Sequence, residues 1–199
     1  MKATSSLLIL LFFSYYTICA QTKKSKVDSL AALKNRKAYI DQYEFKHHKQ
    51  LAFFAKIVGE KTLIKIEEDN IPDNAEYVYT IVRDSTGSVL AIEQAPYSES
   101  GDWYEEFKSY FDSDGKTFAF TVKTTVFDNS VKGGIVMWQN FNYYNNSFVL
   151  LSNTSLLTGI KRPLRGRKKS DFDFRNDPYN IYKTLNACLK GYNLDRSKL

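Results

Sequence analysis

Cysteine and histidine are scarce in this chain, and their scarcity limits the sites that it can build. The 199 residues include two cysteines and two histidines. The histidines, His47 and His48, are adjacent, so on a helix they point about 100° apart and cannot share one metal ion. Without a third histidine, a zinc centre would need carboxylates that the sequence does not mark out. We therefore expect no metal site and no other cofactor.

Catalytic motifs are lacking as well. The stretch Ser98-Glu99-Ser100-Gly101-Asp102-Trp103 has no glycines two before and two after a serine, as a nucleophile elbow requires. Glu105 and Glu106 are neighbours on a predicted strand, so they point to opposite faces and cannot act as a paired acid and base. We assign no catalytic residue. Trp103 is a candidate surface aromatic for ligand stacking, besides opening the next strand.

The N-terminal apolar run is too short to cross a membrane. Lys2 precedes a continuous apolar run from Leu7 to Phe13, and the following residues become more polar up to Ala20. This is the three-part layout of a signal peptide, whereas a spanning helix needs about 18 apolar residues. We expect residues 1–20 to be removed, leaving 21–199 as a single globular domain that is secreted or periplasmic. An uncleaved anchor is the alternative.

The two cysteines fall in different parts of this scheme. Cys19 lies at the end of the signal, where bacterial lipoproteins are lipidated, but Tyr16 and Ile18 fit that motif poorly. We expect Cys19 to leave with the signal, with a lipoprotein as the alternative. Cys188 then remains alone, cannot form an internal disulfide, and lies where a helix would bury it as a small hydrophobe.

Apolar spacing divides the chain into helical and extended regions. Spacings of three and four predict one long helix or two successive helices over 26–58, with a break near 45–49. Residues 62–67 predict a short strand, and from Glu76 to Ser152 the period changes to two, which is typical of half-buried strands. A last helix is predicted over Pro178–Leu189, with Asp177 as its N-cap.

These elements predict an α+β fold. An N-terminal helical segment precedes a mostly antiparallel meander sheet of about five to seven strands, and a C-terminal helix packs on one face. The aromatic content of 15% gives an exported domain without disulfides enough apolar area for a core.

An internal repeat marks the turns of this meander. Residues 84–92 and 112–120 share the form D-S-x-G-x-x-apolar-Ala-apolar, and residues 144–148 form a weaker third copy. Asp at the first turn position accepts backbone hydrogen bonds and Gly at the fourth adopts a left-handed conformation, so the repeat predicts hairpins. A calcium loop at Asp112 is the functional alternative, but the Glu that should end such a loop is missing.

A basic loop is the strongest charge feature. Residues 161–169 contain six cations and no acid, and Pro163 and Gly166 exclude a regular helix. Such a run attracts polyanions, and in an exported protein an anionic envelope glycan or a lipid headgroup is a better candidate than nucleic acid. A loop that only improves solubility is the alternative. The candidate polyanion-binding residues are Lys161, Arg162, Arg165, Arg167, Lys168 and Lys169.

The hairpin region resembles a group of bacterial proteins. Asp84 to Gly87, Ser100 to Trp103 and Tyr110 to Phe120 follow one another in an order similar to that in uncharacterised small secreted proteins of Bacteroidota. The resemblance covers parts of residues 77–127. It implies a bacterial cell-envelope setting and carries no activity or catalytic residues.

Three functions are compatible with these features. We expect a non-enzymatic binding or interaction domain of the cell envelope or exterior, and whether it is also an enzyme stays open. The alternatives are a hydrolase or other enzyme whose carboxylates converge only in three dimensions, and a structural or assembly protein that docks a partner through a sheet edge. A concave pocket with two close carboxylates favours the enzyme, and a sheet face wholly covered by helices argues against it.

Overall fold

The framework of the protein is one antiparallel sheet of eight strands. The computed structural model describes residues 30–98, 100–160 and 162–199. Neighbouring strands pair antiparallel in the order β2-β1-β3-β4-β5-β6-β7-β8, so the expected meander is confirmed and its strand number is eight rather than five to seven. The strands are β1 Ala52–Ile57, β2 Ile64–Ile66, β3 Ala75–Arg83, β4 Val89–Pro96, β5 Trp103–Phe111, β6 Thr117–Phe127, β7 Ile135–Tyr144 and β8 Leu150–Gly159.

The first helix, α1, covers residues 30–46 and ends where the break was expected. The predicted continuation of the helix to Val58 is wrong, because a short 3-10 helix, His48–Gln50, leads directly into β1. Phe54 and Ala55 are both buried although they point to opposite faces of the sheet. A strand that is buried on both faces shows a continuous apolar run, and that run imitates helical spacing over six residues.

One face of the sheet carries α1, and we call it the helix face. Ile40 of α1 is fully buried against Val82, Ala91 and Tyr110. These residues belong to β3, β4 and β5, and cross-strand register places Val82 opposite Ala91 and Ala91 opposite Tyr110. The same cluster extends to Ala119 of β6 and Tyr143 of β7. Beyond the C-terminal end of the helix, the same face becomes polar.

The other face is covered by residues 162–199, and we call it the C-terminal face. Tyr179 stacks on Phe107 and Phe120, with ring centroids 4.9 and 5.4 Å apart. The second helix, α2, spans Leu185–Gly191 and packs Leu185 and Cys188 into the core. A C-terminal helix on one face was therefore expected correctly.

The predicted start of that helix at Pro178, with Asp177 as N-cap, is wrong. Thr184 is the N-cap, and its hydroxyl accepts a hydrogen bond of 3.3 Å from the amide of Ala187. The preceding residues stay extended because Lys183 accepts a backbone hydrogen bond of 3.0 Å from Thr117. Pairing with the sheet thus overrides the local proline signal.

Three hairpin turns share one hydrogen-bond pattern. Asp84, Asp112 and Asn145 each begin a turn, and the side-chain Oδ1 of each accepts backbone amides two and four residues later at 2.8 to 3.0 Å. The fourth turn residue has positive φ in all three, and in the last turn it is Phe148, with φ 61°. Local Asx hydrogen bonds therefore define these connections.

Membrane insertion through a helix finds no support in the described ranges. None of their helices is long and apolar enough to span a bilayer. The predicted signal peptide and Cys19 lie outside the described residues, as does Lys161.

Candidate functional site

An open cleft lies on the helix face beyond the end of α1. Its volume is about 790 Å³, and α1, β4, β5, β6 and β7 all contribute to its walls. Phe45, Phe141 and Tyr104 supply aromatic surface to it. Charged side chains dominate the rest: the acids are Asp41, Glu44, Glu68, Glu93 and Glu106, and the lysines are Lys37, Lys46, Lys108 and Lys123.

Strand register brings the central charges together. Glu93 of β4 lies directly opposite Lys108 of β5, and Glu106 of β5 lies directly opposite Lys123 of β6. The corresponding Nζ–Oε2 distances are 3.2 Å and 3.5 Å. Opposite charges facing each other across antiparallel strands stabilise the pairing. The polar side of the period-two pattern therefore becomes a row of alternating charges on one face.

The last turns of α1 add two acids to this row. The carboxylate of Glu44 lies 2.5 Å from the Nζ of Lys108, which thus contacts two glutamates while its side chain is 5% exposed. Asp41 accepts a hydrogen bond of 2.8 Å from the hydroxyl of Tyr110 and lies 2.7 Å from Lys37. A buried ammonium requires such partners, so the ion pairs hold the helix on the sheet.

One hydroxyl connects the two strand glutamates. The Oη of Tyr104 lies 3.2 Å from Oε1 of Glu93 and 3.2 Å from Oε2 of Glu106. A phenol has one proton, so it donates to one carboxylate at a time. Both contacts are hydrogen bonds only if the other carboxyl is protonated and donates its proton to the hydroxyl oxygen of Tyr104. The Glu93–Tyr104–Glu106 triad therefore favours one shared proton.

The surroundings of Glu93 favour the protonated form of its carboxyl. Burial raises the pKa of Glu93 to about 7, and the neighbouring carboxylate of Glu106 acts in the same direction. Burial alone would lower the pKa of Lys108, but Glu93 and Glu44 raise it above its usual range, so the ammonium stays charged. Burial followed by the two glutamates also raises the pKa of Tyr104, which remains a hydrogen-bond donor.

The cleft is rich in carboxyl groups although the protein is basic. Its walls carry five acids against four lysines, whereas the whole chain has a net charge of +6. With one proton shared in the triad, four carboxylates balance four lysines, so the cleft acts through its hydrogen-bond acceptors and not through a net charge. Among the described residues, no group of three or more histidine, cysteine, aspartate or glutamate side chains is arranged to hold a metal ion.

The five candidate polyanion-binding residues within the described ranges lie elsewhere, beside the C-terminal face. Arg167 pairs with Asp171 at 3.3 Å, and Lys169 places its Nζ 3.9 Å from the ring centroid of Trp138. These two cations therefore have contacts within the fold. Arg165 and Lys168 are exposed, and Arg162 lines a second cleft of about 540 Å³ together with Lys132.

Trp103 opens β5, as predicted, and is half-buried. Arg175 lies over its ring, with the guanidinium 4.1 Å from the ring centroid, so one face of the indole is already occupied. Its neighbour Glu105 is buried on the same side of the sheet and accepts a hydrogen bond of 3.2 Å from the amide of Asp177. Trp103 and the basic loop are thus separate from the cleft.

Comparison with known proteins adds no identification. No family model matches the chain, and neither the curated proteins nor the solved structures contain a match.

Sequence reasoning missed the cleft, although part of its signal was visible. Tyr104, Glu106 and Lys108 occupy alternate positions of β5, on the polar side of the period-two pattern. These three polar side chains face Glu93 and Lys123 on the neighbouring strands. That combination indicates a polar site rather than a solvated face. Glu44 carries no such signal, because its position over Lys108 depends on how α1 crosses the sheet.

Proposed function

We propose that this protein is an exported binding domain of the cell envelope or exterior and that the carboxyl-rich cleft is its ligand site. The observation that carries the proposal is the gathering of acids in an open cleft on a basic chain. A volume of about 790 Å³ is within the usual range of small-molecule sites. The ion pairs around Lys108 fix the walls before a ligand arrives, which reduces the entropic cost of binding.

The chemistry of the walls favours a ligand rich in hydrogen-bond donors. Carboxylates accept hydrogen bonds, and the carboxyl groups of Glu93 and Glu106 both lie next to the hydroxyl of Tyr104. The exposed ring of Phe45, with Phe141 and Tyr104, can cover an apolar face of the ligand. A sugar unit, above all an amino sugar, combines hydroxyl or ammonium donors with such a face. We therefore expect a saccharide ligand.

Titration calorimetry with neutral and amino sugars and their short oligomers tests this proposal. Glu106→Gln and Tyr104→Phe should each weaken binding by about tenfold, because each removes a hydrogen bond with a charged group. Glu76→Gln on the exposed part of β3 is the control and should leave affinity unchanged. Binding that persists at full strength in both cleft variants would rule out this cleft, and no binding to any sugar would exclude the ligand class.

An acid–base enzyme is the second candidate, and the Glu93–Tyr104–Glu106 triad is the observation that favours it. A carboxyl with its pKa raised to about 7 can act as a general acid at neutral pH, while a neighbouring carboxylate acts as base or nucleophile. We expect the wild type to hydrolyse chromogenic glycosides. The pH profile of its rate should have a limb near pH 7, and this limb should be absent in Glu93→Gln. Binding without turnover leaves the first function in place.

Export is a separate part of the proposal and has its own test. The signal-like layout of residues 1–20 supports secretion or a periplasmic location. Mass spectrometry of the protein from its source should find a chain that begins at Gln21. A diacylglyceryl mass on Cys19 would instead show a membrane-tethered lipoprotein.

The basic loop supports an additional polyanion contact. Because Arg167 and Lys169 have partners within the fold, the exposed Arg165 and Lys168 are the better test. The pair Arg165→Ser and Lys168→Ser should elute earlier from a heparin-like resin, and salt should weaken the wild-type retention steeply. Unchanged retention removes this loop from the proposal.

A further inference from the structure

The charges of the carboxyl-rich cleft leave no place for a further cation unless one of its lysines moves. With the one proton that Glu93 and Glu106 share, four carboxylates balance four lysine ammonium groups. A ligand ammonium adds a fifth positive charge to this set, in walls where water screens charges less than it does in bulk. A cationic ligand therefore binds best where its ammonium replaces one that the protein supplies.

The four lysines of the cleft are held to different degrees. Lys108 has a side chain that is 5% exposed and contacts two glutamates, at 2.5 and 3.2 Å. Lys37 is 12% exposed and has a carboxylate at 2.7 Å, whereas Lys46 is exposed at the end of α1. The side chain of Lys123 is 35% exposed, and its ion pair with Glu106 is the longest in the cleft at 3.5 Å. Among the paired lysines, Lys123 is therefore the easiest to displace.

The ammonium of Lys123 lies between an aromatic ring and a carboxylate, which we call the ammonium subsite. Its Nζ is 5.0 Å from the centroid of the Tyr104 ring and 3.5 Å from Oε2 of Glu106. The face of an aromatic ring attracts a cation at this distance, and aromatic walls recognise ammonium ligands in general. All three side chains line the open cleft. A lysine of the protein thus occupies a place in which a ligand ammonium finds the same two partners.

We propose that the ammonium group of an amino sugar binds in this subsite by displacing Lys123. The inference rests on the proposed function of the cleft and adds which group of the ligand binds where. The ligand ammonium takes over the contacts with the ring of Tyr104 and the carboxylate of Glu106, while the ammonium of Lys123 moves into water. The charges in the cleft stay balanced, and the lysine side chain regains rotational freedom. A neutral sugar has no ammonium and leaves Lys123 in place.

Lys123 is thus an internal competitor of the amino sugar, and its removal distinguishes charged from neutral ligands. Lys123→Met removes the ammonium and keeps an unbranched side chain. A partly exposed ion pair and a cation–π contact together change an affinity by roughly tenfold. The variant should therefore bind glucosamine oligomers roughly tenfold more tightly than the wild type does. Its affinity for glucose oligomers of the same length should be unchanged.

Titration calorimetry with these two series of oligomers, which differ in an ammonium or a hydroxyl on each unit, measures both affinities. Lys190→Met is the matched control, because it removes the same charge from an exposed position of α2, on the opposite face of the sheet, and should change neither affinity. Lys123→Arg keeps a cation within reach of Glu106 and should give no gain. Glu106→Gln removes the carboxylate for which the two ammonium groups compete, so Lys123→Met should give no gain in that background.

The outcomes separate this inference from the proposed function. If both sugars bind and Lys123→Met gives no gain for glucosamine oligomers, the displacement is overturned and the saccharide cleft stays. An equal gain for glucose oligomers shows that Lys123 only obstructs the cleft, and an equal gain in Lys190→Met assigns the effect to net charge, so either result overturns the displacement. No binding of either sugar to any of these proteins overturns the displacement and the saccharide ligand together.

Discussion

The buried carboxyl of Glu105 makes the stability of this protein depend on pH. Glu105 is 2% exposed and lies on the C-terminal face, where its Oε2 accepts a hydrogen bond from the amide of Asp177. Burial raises its pKa from the ordinary 4.5 to about 7. The charge of Asp177 acts in the same direction, whereas its backbone amide acts in the opposite one. Glu105 therefore keeps its proton up to a higher pH in the folded protein than in the unfolded chain.

The sign of the effect follows from this difference. Between pH 4.5 and about 7 the folded state binds more protons, so the free energy of unfolding falls as pH rises. The stabilisation by neutral Glu105 is complete below pH 4.5 and is lost as pH rises through 7. A shift of this size corresponds to about 3 kcal/mol, which is a large part of the stability of a small domain.

Glu105→Gln removes the ionisation and keeps the shape and the acceptor oxygen. We expect wild type and variant to have similar unfolding free energies at pH 5. At pH 8 the variant should be more stable by about 3 kcal/mol, measured by urea denaturation. Glu93 has a pKa raised in the same direction, so the wild-type slope contains a second contribution that Glu105→Gln leaves intact.

Glu67→Gln, at an exposed position after β2, is the matched control and should not alter the slope. Parallel stability curves for wild type and Glu105→Gln between pH 5 and 8 would refute the reasoning. Such a result would mean that the carboxyl ionises without cost in its buried position.

Three further predictions concern the core and the turns. Cys188 is fully buried and its thiol pKa is raised by burial to about 12, so a disulfide reagent should label it only after denaturation. Gly87→Ala meets no neighbouring atom but keeps φ at +85°, so calorimetry should show a loss of about 1 kcal/mol from backbone strain alone. Ile40→Ala opens a cavity between α1 and the sheet and should cost about 2–5 kcal/mol in urea denaturation. Full labelling of native Cys188, or unchanged stability in either variant, would contradict the corresponding prediction.

The meander could be predicted because its signals are local. The Asx residues at positions 84, 112 and 145 bond to amides within four residues, so the turn depends on nothing far away in the chain. The strands between them alternate polar and apolar residues because one face is only partly covered. Where the determinants are local, sequence reasoning gave the correct antiparallel order.

The elements that sequence reasoning assigned wrongly depend on distant contacts. Residues 52–57 form β1 because β2 and β3 pair on either side of them, and burial on both faces hides the period of two. Residues 178–184 look like the start of a helix, but Lys183 and Thr184 pair with the β5–β6 hairpin and stay extended. In both segments tertiary pairing decides between two conformations that the local sequence allows.

Glu105 and Glu106 show how far the argument from a strand pattern reaches. The pleat sends these neighbours to opposite faces, so they cannot act together, as the sequence predicts. Each nevertheless lies near another acidic residue. Glu105 accepts a hydrogen bond from the amide of Asp177, and Glu106 and Glu93 both contact the hydroxyl of Tyr104. Adjacency along the chain therefore excludes one acid pair, whereas register across the sheet creates another. A search for paired carboxylates in a meander should compare residues on facing strands, because that is where the pleat brings side chains together.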